Sequence, residues 1–525
     1  MVARFDGGAL TSDAGALLLR EADRRIRLIE RLAACFDDHR NPSLVRHPVQ
    51  EMVAQRVYAL ALGYEDLNDH DELRQDPLLA LFGRQARCGR GAAAGVRTEL
   101  IEAGGANPAV CGAWLVPGAQ RTLLFHAHYD GQPVIAGRWD GSGPFSPVLR
   151  TAPVEAGGRL LPLEQPSYDR EWRLFARSVS DDKVSIFALW AALTALREAG
   201  IRPRSKIKFF FEGEEEAGST NLRALLEKAG ARLRGDVRIL CDGSVHQSRN
   251  QRIVLGARGV ATVEIAVFGA KRGLHSGHYG NWAPNPALQL ARLLASMTDG
   301  EGQVLVQGFY DDVVPLTEEE RRAVEQIPVV DEALKKEMGI GATQPFGGLL
   351  RESIYQPSLN VRGVESGGTG EKAANEVPAV ARASLDLRLV KGVDGRKQCE
   401  RVAAHVRAQG FHVIEGRDPT EEERLRHGKI ARIDIRPGYN ALRTPLAAPV
   451  VQEIAAVARA VREPVYIEPS FGGSLPLVVF EQVSPAPLVI VPISNHDDSQ
   501  HTHNGNIRLG NLWDGIELYA ALLAM

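Results

Sequence analysis

Thiols are scarce and scattered. The five cysteines are Cys35, Cys88, Cys111, Cys241 and Cys399, and no two form a CxxC pair. That spacing argues against a disulfide framework and against a thiolate zinc site. The chain also lacks a run of about 18 apolar residues, the length a membrane-spanning helix needs, so no span is expected. Charge of one sign is lacking as well. A formal net charge of -3 over 525 residues gives neither a basic field for nucleic acid nor a strongly acidic tail. The opening stretch "MVARFDGGALTSDAG" has no apolar h-region, and a soluble, cytoplasmic protein is the expectation. Lysine is missing from the first 90 residues altogether.

What is present is ordinary in bulk and unusual in detail. Apolar residues make up 44% and charged residues 24%, as in a soluble globular protein. The length exceeds what one core can organise, so two to four domains are expected. The unusual detail is "FFFEGEEEAGST", which runs from Phe209 to Thr220. Glu212, Glu214, Glu215 and Glu216 crowd behind three aromatic rings. Like charges at such density repel, and burying them is costly unless something positive sits among them. A solvated acidic loop is one reading and a multivalent metal is the other.

Residues 1–91 read as a separate, Arg-rich helical segment. "TSDAGALLLREADRRIRLIERLAACF" has helical periodicity with Ser12 or Asp13 as N-cap. "HPVQEMVAQRVYALALGYEDLNDHDELRQDPLLALF" adds a second helix, started by Pro48 and stopped by Gly63. "RQARCGRGAAAG" then reads as a linker. From about residue 105 the pattern is α/β. "AVCGAWLV" and "RTLLFHAHYD" read as a strand pair joined by the "PGAQ" turn, and "DDKVSIFALWAALTALREAG" as an amphipathic helix. "SKIKFFFEGEEE", "DVRILCDG" and "APLVIVPISN" read as buried strands, and "NLWDGIELYAALLAM" as a closing helix.

Open α/β sheets bind ligands beyond the carboxyl ends of their strands. His128 and Asp130 fall there after "TLLF", Glu215 and Glu216 after "KFFF", Asp242 after "VRILC", and His501 after "LVIVPIS". A solvated face does not explain that recurrence. Imidazole and carboxylate suit zinc, manganese or cobalt. Two ions about 3.5–4 Å apart need a bridging carboxylate with a His and a carboxylate each. Asp181 in "SVSDDKVS" can bridge, His128 with Asp242 can hold one ion, and Glu216 with His501 the other. Glu215 is left as general base, and Asp130 is placed to orient a ligand. Glu212 and Glu214 are expected to be solvated or to support the ligands from behind. His246, His278, His496 and His503 are expected to be structural.

The ordered motifs "HAHYDGQPV", "ARSVSDDKVS", "EGEEEAGS", "LCDG" and "DDSQHTHNGN" resemble those of the co-catalytic di-zinc exopeptidase family over residues 95–525. That family includes carnosine dipeptidases, acetylornithine deacetylase, succinyl-diaminopimelate desuccinylase and carboxypeptidase G. The resemblance implies an α/β catalytic domain, a mixed sheet between helices, over residues 92–256 and 440–525. A ferredoxin-like lid and dimerisation domain is implied over 257–439, and the segment before residue 92 is a short all-helical addition. It implies two Zn²⁺ per chain (Mn²⁺ or Co²⁺ in their place) and hydrolysis of a dipeptide or N-acyl amino acid by a water between the metals. A homodimer through the lid is implied, with neither nucleic acid nor membrane as partner. "RGLHSGHYGNWAPNP" carries His275, which in the family reaches the partner subunit's site and helps hold the substrate carbonyl oxygen. Asn375 and Arg388 in "NEVPAVARASLDLRLV" correspond to groups on the substrate's carboxylate side, and Gly473 and Ser474 in "FGGSLP" line the substrate site.

Two departures accompany the resemblance. Ala176, Ser178 and Val184 stand where the family commonly has glycine, which implies a differently shaped bridging loop. The family's first helix is replaced, with "GAAAGVRTELIEAGG" as its only remnant. The replacing segment resembles the start of DDE-type insertion-sequence transposases over about the first 85 residues, without a catalytic acidic triad. Two alternatives to a working peptidase follow, an inactive fusion product and a DNA-associated, transposase-derived protein.

Overall fold

The computed structural model describes residues 28–33, 96–141 and 143–525. A helix at Leu28–Ala33 falls within the first helix expected from sequence. The second helical stretch, with Pro48 and Gly63, lies outside the described residues, as do Cys35 and Cys88. The chain divides into two compact units. The first runs to Gln251 and takes in Ala456–Glu463 and Ile490–Met525; the second comprises Arg252–Ala455 and Pro464–Val489.

The first unit is built on β1 (Arg97–Ile101), β2 (Ala109–Trp114), β3 (Thr122–His128), β4 (Lys206–Glu212) and β5 (Val237–Leu240). They lie in the order β1-β2-β4-β3-β5. β1, β2 and β4 pair antiparallel, whereas β3 runs parallel to both β4 and β5. The expected hairpin of β2 and β3 is therefore not formed, because β4 inserts between them. The physical reason is the aromatic run. Phe209 and Phe210 are buried, and β4 has two flanks to pair where a hairpin would leave it at an edge. "GAAAGVRTELIEAGG" is also corrected, since its Arg97–Ile101 portion is an edge strand and not a helical remnant.

The helix Lys183–Glu198 buries Val184, Ala188, Leu189, Ala192, Leu193 and Leu196, a stripe with the 3.6-residue period, and packs against the helix Leu509–Ala524. Gly200 follows it with φ 70°, the left-handed stop that glycine adopts without strain. Each fully buried leucine in such a stripe stabilises by roughly 1.5–3 kcal/mol. A smaller sheet joins Val148–Arg150, Arg173–Phe175 and Asn506–Arg508. It sets the chain after Phe175 beside the chain before Asn506, and the Ala176 N–H donates to Gly505 O at 3.0 Å.

The second unit contains β6 (Gly256–Phe268), β7 (Ser358–Glu365), β8 (Val380–Leu389), β9 (His412–Ile414) and β10 (Ile430–Tyr439). Their order is β7-β8-β6-β10-β9, with only the β9–β10 pair parallel. Helices Pro286–Ala295 and Gly395–Ala408 follow β6 and β8, giving βαββαβ with the ferredoxin-like strand order. Asn285 caps the first helix, its Oδ1 accepting from the N–H groups of Ala287 and Leu288, and Asp394 caps the second. Val263, Ile265 and Val267 of β6, Leu385 and Leu387 of β8, and Val402 and Val406 of the second helix share one core.

Candidate active site

His128 is the last residue of β3, and its strand neighbour in register is Glu212, the last residue of β4. Asp242 follows β5 by two residues. Asp181 enters from the loop before the helix Lys183–Glu198, across a cis peptide to Asp182. The Ser494 hydroxyl donates to Ser180 O at 2.6 Å, which pins that loop. Ser178 has φ 61°, so the loop keeps a left-handed residue at one of the expected glycine positions. His501 comes from the loop that the small sheet has carried alongside.

The five residues expected as metal ligands meet in two triads. His128, Asp181 and Asp242 each offer an atom within 4.8 Å of the others, and so do Asp181, Glu216 and His501. Asp181 is common to both. Its Oδ1 lies 3.1 Å from His128 Nε2, and its Oδ2 lies 3.1 Å from His501 Nε2. His501 Nε2 is also 3.1 Å from Glu216 Oε2. His503 is exposed and meets the Thr502 hydroxyl at 3.1 Å, while His501 joins the cluster. Asp130 holds His128 from behind, with Oδ1 3.1 Å from Nδ1, and its Oδ2 accepts from the Glu216 N–H. Glu215 Oε2 lies 3.9 Å from His128 Nε2.

Three residues that sequence reasoning missed complete the cluster. Asp182 is buried and accepts from the His128 N–H at 3.2 Å. Gln500 Nε2 donates to Asp181 Oδ2 at 2.9 Å, and Gln132 Nε2 to Glu216 Oε2 at 2.9 Å. The signal for them was adjacency, since each lies within two residues of a motif residue.

The charge balance is lopsided. Asp130, Asp181, Asp182, Glu215, Glu216 and Asp242 face two imidazoles, and among the described residues no lysine or arginine ion-pairs with any of the six. Burial, with Asp242 next in weight, pushes Glu215 up to about 8. Burial and then Asp181 push Asp242 up to about 6. Hydrogen bonds to Asp181 and Glu216 raise His501 to about 10. Burial works against a charged His128, yet Asp130 and Asp181 raise it well above the usual range. The opposite balance holds Asp181 low: burial opposes its ionisation, and the two histidines outweigh that. By itself the chain lowers its negative charge only by taking up protons. A divalent cation does the same through lone pairs. Asp242 Oδ1 is buried without a hydrogen-bond partner, as a metal-binding oxygen would be. The donor set, carboxylate with imidazole Nε2 oriented by a carboxylate on Nδ1, fits zinc, manganese or cobalt.

Glu212 is buried and not solvated. Its Oε1 lies 2.9 Å from His126 Nε2, and its Oε2 accepts from the Ser219 hydroxyl at 2.8 Å. Glu214 is tied to Asn107 and Asn221.

The remaining sequence candidates lie in the second unit. Arg388 Nη1 donates to Ser474 Oγ at 2.8 Å, and its Nε to Asp386 Oδ2 at 2.9 Å. Gly473 precedes that serine, and a side chain there would strike the Phe471 ring. His275 is exposed, its Nδ1 accepting from the Gly277 N–H. It pairs with Glu376 in a short ladder, which sets Asn375 beside it, and Asn375 O accepts from the Ser276 N–H.

A mixed sheet with ligand sets at its carboxyl edge, plus a ferredoxin-like unit, is the build of an α/β metallohydrolase. Residues 124–525 match the model of peptidase family M20/M25/M40, so the chain belongs to that family and is an enzyme of the metallopeptidase class. Residues 1–98 match the transposase DDE domain group 1. The chain is similar to the Cys-Gly metallodipeptidase of Schizosaccharomyces pombe, 26% identical over 422 residues, 78% of this chain and 81% of that protein. It is 27% identical to the human Beta-Ala-His dipeptidase over 418 residues, 76% of this chain and 74% of that one. Among solved structures, an M20 family metallo-carboxypeptidase from Sulfolobus solfataricus superposes with TM-score 0.68 at 27% identity, over 85% of this chain and 93% of that one. No helix among the described residues is long and apolar enough to cross a membrane.

Proposed function

We propose that the chain hydrolyses the amide bond of dipeptides or N-acyl amino acids with two divalent ions. The ions are Zn²⁺, or Mn²⁺ or Co²⁺ in its place. The observation that carries this reading is the pair of triads sharing Asp181, with Glu215 beside them but outside both. His128 and Asp242 would hold one ion, Glu216 and His501 the other, and Asp181 would bridge. When bound, such ions supply Lewis acidity and a water acidified toward neutral pH.

Glu215 takes the proton of the attacking water and hands it to the leaving amine. Its carboxylate lies beside His128 but outside both triads, as a base next to the cluster should. Asp130 keeps the His128 proton on Nδ1, so that Nε2 presents a lone pair to the cluster. In the second unit, Arg388 pairs with the substrate carboxylate through its planar fork, with Asn375, Gly473 and Ser474 lining that end. His275 serves the carbonyl oxygen across a homodimer formed through the second unit, which acts as a lid. A cytoplasmic setting is part of the same reading. The relatives named for Cys-Gly and Beta-Ala-His support a small, unblocked dipeptide as substrate. The test is hydrolysis of a panel of unblocked dipeptides by the full chain loaded with each metal in turn. Turnover that disappears in Glu215→Gln supports the reading, and turnover unaffected by that change sinks it.

A further inference from the structure

Glu215 and Glu216 sit in a single turn, Glu215–Ala217, between β4 and the helix Leu222–Ala229. A turn that short cannot fix two side chains by its own hydrogen bonds. It also holds them against other carboxylates, whose repulsion favours swinging outward. Something must clamp the loop 213–219 at both ends.

The other two glutamates of the acidic run occupy those ends. Glu212 closes the strand side. Its carboxylate spans from His126, one turn of the pleat below His128 on the same strand, to the Ser219 hydroxyl at the far end of the loop. Glu214 closes the outer side. Its Oε1 accepts from the Asn107 N–H at 2.8 Å, and its Oε2 from the Asn221 N–H at 3.3 Å. Asn221 Nδ2 lies 3.0 Å from Oε2, and Asn107 Nδ2 donates to Gly213 O at 2.6 Å. The Ser219 N–H returns to Glu214 O at 2.7 Å. Between the clamps, Gly213 is pressed against the Tyr129 ring, where an added Cβ would lie 2.3 Å from ring atoms. The loop thus has fixed points on both sides of Glu215 and Glu216.

Building on the reading of Glu215 as base and Glu216 as ligand, we propose that Glu212 and Glu214 are positioning residues, two carboxylates that staple the base-bearing loop to the sheet. The run of four glutamates then divides by role: two face the cluster and two hold the loop that carries them.

The two staples differ in chemistry, and that difference makes the test sharp. The partners of Glu212 are a hydroxyl and an imidazole, and each can exchange its donor role for an acceptor role. Glutamine at 212 can therefore keep both bonds. Both oxygens of Glu214 face backbone N–H groups, which only donate. Glutamine at 214 must turn its amide NH₂ against one of them. The experiment compares Glu212→Ala, Glu212→Gln, Glu214→Gln, Glu214→Ala and Ser219→Ala in the full chain. It measures kcat and KM on a hydrolysed dipeptide, Co²⁺ affinity and visible absorption, and amide exchange across 213–219. We expect Glu214→Ala and Glu214→Gln to lower kcat and Co²⁺ affinity by about 10–100-fold. KM should stay within about twofold, and loop exchange should quicken. Glu212→Ala should show losses of the same size, Glu212→Gln should recover most of them, and Ser219→Ala should fall between.

Wild-type kcat and Co²⁺ affinity in both Glu214 variants, or in Glu212→Ala, would overturn the proposal, as would a Glu212→Gln defect equal to that of Glu214→Gln. A wild-type chain that binds Co²⁺ but hydrolyses nothing would defeat the functional reading. The cobalt and exchange measurements would then still decide the staple.

Discussion

Polar clusters in the two units solve the burial of charge in different ways. In the second unit, Asp386 receives Arg388, Asp312 receives Lys397 and Arg401, and Glu468 receives Arg252. In the first, six carboxylates gather around two imidazoles with no such partner among the described residues. Matched pairs hold a fold or wait for a substrate's charge. An unmatched set calls for positive charge from outside the chain, and a divalent ion is the smallest source of it. That contrast, more than any single motif, separates a candidate metal centre from ordinary surface acidity.

Four experiments break or sharpen the contrast. The largest effect is expected at Glu215, the carboxylate of the first unit's cluster proposed for proton transfer. Glu215→Gln should lower kcat by at least about 10²-fold, while metal content measured by emission spectrometry stays unchanged. Chelation comes next. Removing ions present at about a hundred times their dissociation constant should destabilise the first unit by about 2.7 kcal/mol in urea unfolding for each ion lost. The self-neutralised second unit should be indifferent. Arg388→Ala should then raise KM by about 10-fold, the loss of one charged hydrogen bond, with kcat little changed in steady-state assays. The smallest effect is at Ser178. Relieving its left-handed backbone with Ser178→Gly should stabilise by about 0.5 kcal/mol in denaturant titration. That is the difference between a strain of about 1–2 kcal/mol and the added freedom of glycine in the unfolded chain.

Much of the cluster was legible because His128 closes an apolar strand and Glu216 and Asp242 follow the ends of two others, where an α/β chain gathers distant residues, whereas Asp181 enters from the loop before a helix. His128, Asp242 and Glu216 could be placed from local pattern alone. His501 was placed by its position after "LVIVPIS", but what delivers it to the cluster is the pairing of Asn506–Arg508 with Arg173–Phe175, a long-range contact with no local signature. The position of β4 between β2 and β3 was misjudged for a similar reason. A four-residue turn between apolar runs favours a hairpin, and only the competition for Phe209 and Phe210 decides otherwise. Glu212 was left between solvent and a supporting role because charge is normally at the surface. Its partners, His126 and Ser219, lie 86 and seven residues away, and neither distance announces a bond.

The proposed chemistry needs Asp181 to join two ion sites, and metal stoichiometry in the Asp181→Ala chain tests that need. Wild type equilibrated with zinc and passed through a desalting column should retain two ions per chain, and the variant should lose both together. A wild type holding none, or a variant that still holds two, would contradict it.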